Sequence, residues 1–288
     1  LICAVVKGYK NLTSTFRLDA RVMSGKVPIS RGVRQGSPLS PFLFVVVLNM
    51  VLEELTAKWN KNGWGFKLDL DNLISHLAFA DDLILLAEDP ATLALMAVDV
   101  AEALARVGLE LNLTKCDWTS TVEDGNVLRL FGHVIPYTPS SEGLLYLGSL
   151  LSLDGRSRVS LEHRIASGWR AFYARGEVWR GRASVLSKPK VFRTTVEPCV
   201  LFGCECWHLT RQDRSYLDGV LSRMVRKIMG HKRRCSPHGL ELWLDWWRRT
   251  GRLAKKAWLD AGFPLWSVAY ASRKWGWASK ICALPNSN

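Results

Sequence analysis

The spacing of apolar residues predicts helices in the first part of the chain. Residues 1–23 carry helical apolar spacing that gives way to an extended stretch. From Leu39 to Trp59 apolar residues recur through about five turns, which predicts a long, mostly buried helix. Pro38 and Pro41 suit the start of this helix, because the N–H groups that proline lacks would have no intrahelical partner there.

Short apolar runs beyond that helix predict strands. They lie at Phe66 to Asp71, Ile74 to Phe79, Leu83 to Ala87, Leu109 to Leu113 and Val127 to Phe131, and Leu144 to Leu151 is predicted as a strand pair around Gly148. The second and third runs flank Ala80-Asp81-Asp82, so they predict a β-hairpin with two acids at its tip, anchored by Leu77, Phe79, Leu83 and Leu85. Between the strands, Pro90 to Arg106 has helical spacing and Gly108 suits its C-terminal cap.

The pattern changes after Ser160 to basic helices in which Trp, Phe and Leu recur at intervals of three and four. We expect a domain boundary near residue 155, a basic helical domain over 156–240 and a tryptophan-rich helical extension over 241–288. The predicted fold class is therefore α+β. An antiparallel sheet with packed helices would come first, followed by a mainly α-helical basic region.

The net charge of +13 is concentrated in the second half of the chain. Residues 1–150 contain 13 Lys and Arg against 16 Asp and Glu, a net charge of −3. Residues 151–288 contain 26 against 10, a net charge of +16. This asymmetry indicates a polyanion held by the basic half and processed by the other half, although a merely soluble basic surface would also produce it.

The composition indicates a globular protein, because 48% of the residues are hydrophobic. No apolar run reaches the roughly 18 residues of a membrane helix, so no membrane partner is expected. The sequence begins at Leu1 without a visible secretory signal, which predicts a fragment in the nucleus or cytoplasm with reduced cysteines. A structural zinc site near Cys204 and Cys206 is an alternative that their spacing disfavours.

The tetrapeptide Phe79-Ala80-Asp81-Asp82 carries the clearest chemistry. Two neighbouring carboxylates on a tight turn repel each other, and a divalent cation relieves that repulsion. Two such ions can stabilise the attacking and leaving oxygens of a phosphoryl transfer. Taken alone, however, an Asp-Asp pair is more often two solvated acids in a turn.

A glycine-punctuated loop, Arg31-Gly32-Val33-Arg34-Gln35-Gly36-Ser37-Pro38, precedes the hairpin. Its glycines permit the backbone to approach a ligand closely. Gln35 offers a bidentate amide, and Arg31 and Arg34 offer positive charge to phosphate. As an isolated element, the loop would equally be a simple helix cap.

Four segments, in this order, resemble motifs of reverse transcriptases from non-LTR retrotransposons. RGVRQGSPLSPFLFVVVLNMVLEEL is similar to motif B, which contacts template and nucleotide, and HLAFADDLILLA resembles the catalytic motif C. GLELNLTKC resembles motif D, and LLYLGSLLSLDG the primer grip. The resemblance continues more weakly through VFRTTVEPCVLFGCECWHLT and VLSRMVRKIMG, which are similar to thumb and post-thumb segments. It implies a polymerase palm over 1–155 and a thumb-like domain over 156–240.

The resemblance implies catalytic roles for three residues. Asp81 would bind metal directly and Asp82 would assist, with two Mg²⁺ ions as cofactors once a further carboxylate is supplied. Lys115 would lie near the leaving pyrophosphate, where an ammonium can stabilise charge or donate a proton.

The resemblance also implies binding roles, with an RNA template, a DNA primer and deoxynucleoside triphosphates as partners. Nucleotide and template would be contacted by Arg31, Arg34, Gln35, Gly36, Ser37, Phe79 and Ala80. The primer end would be held by Leu147 and Gly148. In the basic half, nucleic acid would be bound by Arg164, Arg170, Arg175, Arg226 and Lys227. The interleaved aromatic residues would equally suit a helical core.

The family's motif A aspartate, which completes the metal site, normally lies upstream of where this sequence begins. Residues 1–24 resemble the helix and strand between motifs A and B, and Asp19 is the only acid among them. We therefore expect a palm without fingers and motif A, and a chain that does not polymerise alone. A non-catalytic nucleic-acid-binding remnant of a decayed or domesticated element is the main alternative, and an unrelated Asp-Asp hydrolase fits the flanking motifs poorly.

Overall fold

A computed structural model describes residues 9–10, 12–17, 23–29, 32–69, 72–122, 125, 127–181, 187–236 and 239–284. The chain divides into two compact units. The first unit comprises residues 1–116 and 125–136, and the second comprises 117–124 and 137–288. The expected boundary near residue 155 differs from this division, because the hairpin before it packs with the helices that follow it.

Among its described residues, the first unit has two long helices and four strand pairs. Its helices are α1 (Ser40–Asn62) and α2 (Pro90–Arg106). Its strands pair in sequence order and antiparallel, as β1 (Thr13–Ser14) with β2 (Val27–Pro28), β3 (Phe66–Lys67) with β4 (Leu73–Ile74), β5 (His76–Phe79) with β6 (Asp82–Leu85), and β7 (Arg129–Leu130) with β8 (His133–Val134).

The second unit is mainly helical. Its strand pairs are β9 (Leu144–Tyr146) with β10 (Ser149–Leu151), and β11 (Cys235–Ser236) with β12 (Gly239–Leu240). Its helices are α3 (Arg158–Tyr173), α4 (Gly176–Arg180), α5 (Ser187–Thr195), α6 (Glu197–Val200), α7 (Arg211–Met229), α8 (Trp243–Asp260) and α9 (Trp266–Cys282). The α+β class is confirmed, but the expected sheet is present in the described residues only as two-stranded pairs.

Local signals set the ends of the two helices of the first unit. Pro41 occupies the first turn of α1, and Gly63, with φ of 68°, caps its end by donating its N–H to the carbonyls of Asn60 and Trp59. The Asp89 side chain caps α2 by accepting the N–H of Thr92 at 2.8 Å. Both helices therefore form where the sequence predicted them.

The face that α1 and α2 share forms the core of the first unit. Trp59 is fully buried there, and its indole Nε1 donates to Asp99 Oδ2 at 3.0 Å. The other oxygen of Asp99 accepts a 2.6 Å bond from Lys58 Nζ, so this largely covered carboxylate is satisfied on both sides. The remaining buried apolar side chains of this core are those of Leu48, Val51, Leu52, Leu55, Met96, Val100, Ala103 and Leu104.

The expectation that α1 is mostly buried is wrong, because several of its apolar side chains are exposed. Phe42 and Met50 are 61% and 66% exposed, and Val46 and Val47 are also exposed. By length and composition this helix is apolar enough to cross a membrane. Of its apolar stretch, 28% is buried. One such helix is weak evidence, because a core helix of a soluble protein meets the same criterion.

The predicted strand at Leu109 to Leu113 is not formed. The chain turns there, since the Asn112 side chain accepts the N–H of Thr114 at 3.2 Å and a 3₁₀ turn follows over Leu113–Lys115. A strand needs a partner to satisfy its backbone groups, and periodicity alone does not report whether a partner is present.

One core joins the helices of the second unit. Phe192 of α5 stacks on Trp266 of α9 with ring centroids 5.8 Å apart, and both rings are fully buried. The indole of Trp266 donates to Glu197 at 3.1 Å, and burial raises the pKa of that carboxyl. The helical domain expected over 156–240 and the extension expected over 241–288 therefore share a core, which sequence spacing did not indicate.

Glu241 fastens the segment before α8 to that helix. Its carboxylate accepts bonds of 2.8 and 2.6 Å from the Arg249 guanidinium and one of 3.0 Å from the Arg234 N–H. These donors, chiefly Arg249, lower the pKa of Glu241 to about 2.

We expect Glu241→Gln to destabilise the second unit in a pH-dependent manner. Because the pKa in the folded protein is depressed, the carboxylate contributes its full stabilisation above the ordinary value of 4.5 and loses it as the pH falls toward 2. Urea unfolding should thus show a lower free energy of unfolding for the variant than for the wild type. This difference should shrink as the pH falls from 4.5 toward 2. Glu177→Gln, an equal charge change at an exposed position of α4, should show no such trend.

Candidate active site

The acid pair lies at the tip of the β5–β6 hairpin. Phe79 pairs with Asp82, so Ala80 and Asp81 form a two-residue turn. Paired residues in an antiparallel hairpin project to the same face. Phe79 and Asp82 therefore share one face and both are exposed, whereas Leu83 and Leu85 project to the other face and pack against the α1–α2 core.

Only two of the four residues that were expected to anchor the hairpin do so. Leu83 and Leu85 anchor the hairpin, but Leu77 and Phe79 are 48% and 62% exposed. Leu77 pairs with Ile84, which places it on the same face as Phe79 and Asp82. An exposed apolar ring thus lies directly across the hairpin from a carboxylate.

Ala80 has a left-handed backbone, with φ of 53°. This conformation costs a residue with a Cβ about 1 kcal/mol or more relative to its ordinary regions. A two-residue hairpin turn favours glycine or asparagine where φ is positive, so alanine here is a strained choice. Strain of this kind clusters at functional sites.

His76 supports the base of the hairpin. Its ring meets the buried Trp59 ring edge-on, with centroids 6.1 Å apart, and its Nδ1 lies 3.1 Å from the Ser75 hydroxyl. Burial lowers the pKa of this imidazole. The hairpin therefore rests on the core of its own unit through a neutral ring.

The donors at the tip suit magnesium in kind. Asp81 and Asp82 offer exposed carboxylate oxygens, which are the hard ligands that Mg²⁺ prefers. Within the described part of the chain, no group of three His, Cys, Asp or Glu side chains is close enough to hold a metal ion. Asp19, the acid considered above, lies outside the described residues. The two carboxylates therefore fit part of a magnesium site, and no third protein ligand joins them among the described residues.

Ser37 of the glycine-punctuated loop and Ser40 of α1 hold the end of this loop. Ser40 donates its hydroxyl to the carbonyl of Arg34, and the hydroxyl of Ser37 accepts the N–H of Leu39 at 3.4 Å. Gly36 has φ of 82°, which a side chain would disfavour. The hydrogen bonds of Ser37 and Ser40 therefore order the end of the loop. Three residues predicted to contact the nucleotide are exposed there, namely Arg34, Gln35 and Gly36. Arg31 lies outside the described residues.

Lys115 ends the 3₁₀ turn after α2, and its side chain is exposed. No ion pair joins it to Asp81 or Asp82 in the described ranges. The predicted catalytic lysine and acid pair therefore belong to one unit without being brought into contact.

The predicted primer grip is the turn of the β9–β10 hairpin in the second unit. Leu147 and Gly148 have φ of 47° and 77°, the pair of positive values that a type I′ turn requires. A Cβ at position 148 would lie 3.1 Å from Arg164 Nη2. That guanidinium also stacks on the ring of Phe202 at 4.3 Å. The predicted primer-grip turn and the predicted nucleic-acid-binding residue Arg164 therefore lie next to each other.

The other predicted basic residues of the second unit are spread over two helices. Arg170 and Arg175 belong to α3 and its end, where Arg170 bonds the Ser167 hydroxyl at 2.9 Å and Arg175 the Ala171 carbonyl at 3.3 Å. On α7, the Arg226 guanidinium lies 5.1 Å from the Trp246 ring. Lys227 is exposed and lies 5.9 Å from the Tyr173 ring.

A cleft between α7 and α8 contains basic residues that the sequence analysis did not single out. Those contributed by α8 are Arg248, Arg252 and Lys255, besides Arg249. Their spacing of four and three residues predicts a shared helix face, which was the signal available in the sequence.

Cys204 is part of the apolar core. Its side chain is fully buried, and burial raises the pKa of its thiol to about 12. Such a thiol resists the deprotonation that a zinc ligand undergoes, whereas Cys206 is exposed.

A glycine-punctuated loop, a long helix and an acid-tipped hairpin follow one another along the first unit. Residues 5–151 match the family described as reverse transcriptase (RNA-dependent DNA polymerase). The chain belongs to this family, and its relatives place it among the reverse transcriptase domains of non-LTR retrotransposons.

Two relatives illustrate the extent of the similarity. The chain is 34% identical over 158 residues to the Retrovirus-related Pol polyprotein from type-1 retrotransposable element R2 of Popillia japonica, covering 52% of this chain and 22% of that protein. It is 32% identical over 141 residues to the corresponding polyprotein from type-2 retrotransposable element R2DM of Drosophila melanogaster, covering 46% and 13%. The chain thus spans about a fifth or less of these relatives.

We expect Ala80→Gly to stabilise the hairpin, because glycine relieves the strain of a positive φ. The gain should be about 0.5–1 kcal/mol after the entropy of a more flexible unfolded chain is subtracted. Native-state hydrogen exchange of the β5 and β6 amides measures this locally. Ala78→Gly, two residues earlier in the regular strand, should instead lower protection, and a loss of equal size at both positions would contradict the assignment of strain to Ala80.

Proposed function

We propose that this chain contributes the active-site hairpin of an RNA-directed DNA polymerase encoded by a non-LTR retrotransposon. Its substrates would be an RNA template, a DNA primer and deoxynucleoside triphosphates, in the nucleus or cytoplasm and without a membrane partner. The observation that carries the proposal is the exposed Asp81-Asp82 pair on a strained turn, inside the region that matches the family.

In this proposal the acid pair holds magnesium. Asp81, at the turn, binds metal directly, and Asp82 assists from the first position of β6. Bound magnesium supplies charge stabilisation to the oxygens of the nucleotidyl transfer. The anchoring of Leu83 and Leu85 in the core keeps the hairpin in position, so the carboxylates need little reorganisation when substrate arrives.

The loop before α1 is proposed to contact nucleotide and template. Its exposed Arg34 and Gln35 have the donors for phosphate and base, and Gly36 leaves room for a close approach. Arg31 and Ser37 complete this set. On the hairpin, the exposed ring of Phe79 and the small Ala80 adjoin the same carboxylates, which suits contact with a nucleotide.

Lys115 is proposed to act at the leaving pyrophosphate. An exposed ammonium at the end of a short turn can move toward an anion, and its charge would stabilise the leaving group or supply its proton. This role requires substrate to bring the lysine and the acids together, since no ion pair links them in the described residues.

The two carboxylates alone make an incomplete site for two metal ions. Among the described residues no third acidic, histidine or cysteine side chain joins them. Transition-state stabilisation by paired ions depends on ligands that fix both, so the loss of one carboxylate is expected to cost several kcal/mol. We therefore propose that the 288-residue chain does not polymerise by itself. This shortfall also favours the second candidate function, a nucleic-acid-binding remnant without catalysis.

Primer extension on an RNA template with Mg²⁺ tests this proposal. The isolated chain should give no product above background, whereas a longer chain that supplies a motif A aspartate before residue 1 should be active and should lose that activity in Asp81→Asn. If the isolated chain extends the primer and Asp81→Asn abolishes that extension, the proposal that its metal site is incomplete is wrong. A longer chain that is folded yet inactive would favour the non-catalytic remnant.

The second unit is proposed to hold the template–primer duplex. Leu147 and Gly148 would support the primer end, next to Arg164. Arg170, Arg175, Arg226 and Lys227 would contact phosphates, because guanidinium and ammonium groups neutralise the backbone without reading its sequence.

We expect an RNA–DNA hybrid to bind with an affinity that falls steeply as salt rises. Each neutralised phosphate releases counterions, so the logarithm of the association constant should fall linearly with the logarithm of salt concentration. Anisotropy titrations with a labelled hybrid measure the slope. Arg170→Gln combined with Arg175→Gln should reduce the slope, and a slope near zero in the wild type would exclude phosphate contacts as the basis of binding.

A further inference from the structure

The cleft between α7 and α8 is open and strongly basic. It has a volume of about 900 Å³, and six of its lining side chains are cationic while two are acidic. One of the acids, Glu241, is already bonded to Arg249. The remaining cations, among them Arg223, Arg248 and Arg252, therefore outnumber the acids that could neutralise them.

Two arginines on the α7 side of the cleft lie close enough to repel each other. Burial and the neighbouring charge of Arg223 both lower the pKa of Arg226. The Nε of Arg223 is buried and has no hydrogen-bond partner in the described part of the chain. A buried donor without a partner is costly, and an anion in the cleft would satisfy it and relieve the repulsion.

Glycines on both walls keep the cleft wide. Gly219 lies within α7 and Gly251 within α8, and a Cβ at either position would meet no described atom within 4 Å. Gly168 of α3 differs, because a Cβ there would lie 2.2 Å from Val200 Cγ2 and close packing explains it. Glycine inside a helix is unfavourable relative to alanine. Internal packing therefore does not account for Gly219 and Gly251, and the backbone at both positions is open to a ligand in the cleft.

Exposed indole rings border the cleft. Trp247 is one of its lining residues and is 43% exposed, and Trp243 beside it is 59% exposed. The two rings stack with centroids 6.4 Å apart and an interplanar angle of 21°. Unpaired bases stack on such rings, whereas the faces of paired bases inside a duplex are covered by their neighbours.

We propose that the α7–α8 cleft of the second unit is a binding site for single-stranded nucleic acid. Phosphates occupy the space beside Gly219 and Gly251 and are neutralised by Arg223, Arg248 and Arg252. An adjacent unpaired base stacks on Trp243, the more exposed of the two rings. The site takes its ligand class from the proposed polymerase function but does not require the chain to be catalytic.

Binding of a labelled oligouridine to the full chain tests the site. We expect Arg248→Gln combined with Arg252→Gln to weaken binding about tenfold and to reduce the salt slope by about 1.4, the value for two lost contacts to a single strand. The matched control is Arg211→Gln with Arg214→Gln, two exposed arginines of α7 outside the cleft, which carries the same change of charge.

A second pair of variants leaves charge unaltered. Gly251→Ala should raise the melting temperature, because alanine favours the helix, and yet weaken oligouridine binding several-fold. Gly276→Ala, in α9 outside the cleft and also with open space around it, should raise the melting temperature without affecting binding. If stability rises and affinity falls at position 251 but not at position 276, Gly251 contacts the ligand. If affinity is unchanged at both positions, Gly251 has only a structural role.

Three results would overturn the proposal. They are an equal loss of affinity in the control arginine pair, unchanged binding in Gly251→Ala, and displacement of oligouridine by polyglutamate as readily as by unlabelled oligouridine, which would indicate an acidic peptide site. Oligouridine binding is measured without Mg²⁺ and without nucleotides, so it does not depend on catalysis. Failure of the polymerase proposal, seen by primer extension, is thereby distinguished from failure of the cleft proposal.

Discussion

The pairing of Phe79 with Asp82 sets the geometry of the candidate active site. It fixes a turn of only two residues, so the backbone at Ala80 must take a positive φ. The same pairing assigns Leu83 and Leu85 to the core and Asp82 to the opposite face. A shift of one residue would exchange these faces and bury a carboxylate in an apolar core, which is costly. The position of the acids therefore depends on core packing on the other side of the hairpin.

Sequence reasoning succeeded where the determinants were local. Pro41, Asp89 and Gly63 act within one turn of the helix ends that they define, and the hairpin was readable because apolar runs flank the acids directly. The family was identified from four ordered motifs, and the match over residues 5–151 agrees with it. The roles of individual site residues stay predictions, because they concern contacts with substrates and metal.

The failures share one cause, which is that burial and pairing depend on distant residues. Leu109 to Leu113 has the composition of a strand, yet the bonds of Asn112 turn the chain away and no partner strand covers it in the described residues. The extension expected beyond residue 240 joins the preceding helices through Phe192 and Trp266, which are far apart in sequence. Helical spacing predicted α1 correctly but did not report that one of its apolar sides is uncovered.

That uncovered side of α1 has a consequence for the behaviour of the protein in solution. Phe42, Val46 and Met50 expose an apolar strip, while the net charge of +13 makes neighbouring molecules repel one another. Salt screens the repulsion, whereas apolar association persists or strengthens, depending on the salt. The chain should therefore be most soluble at low ionic strength, the condition in which charge rather than packing decides how closely two copies approach.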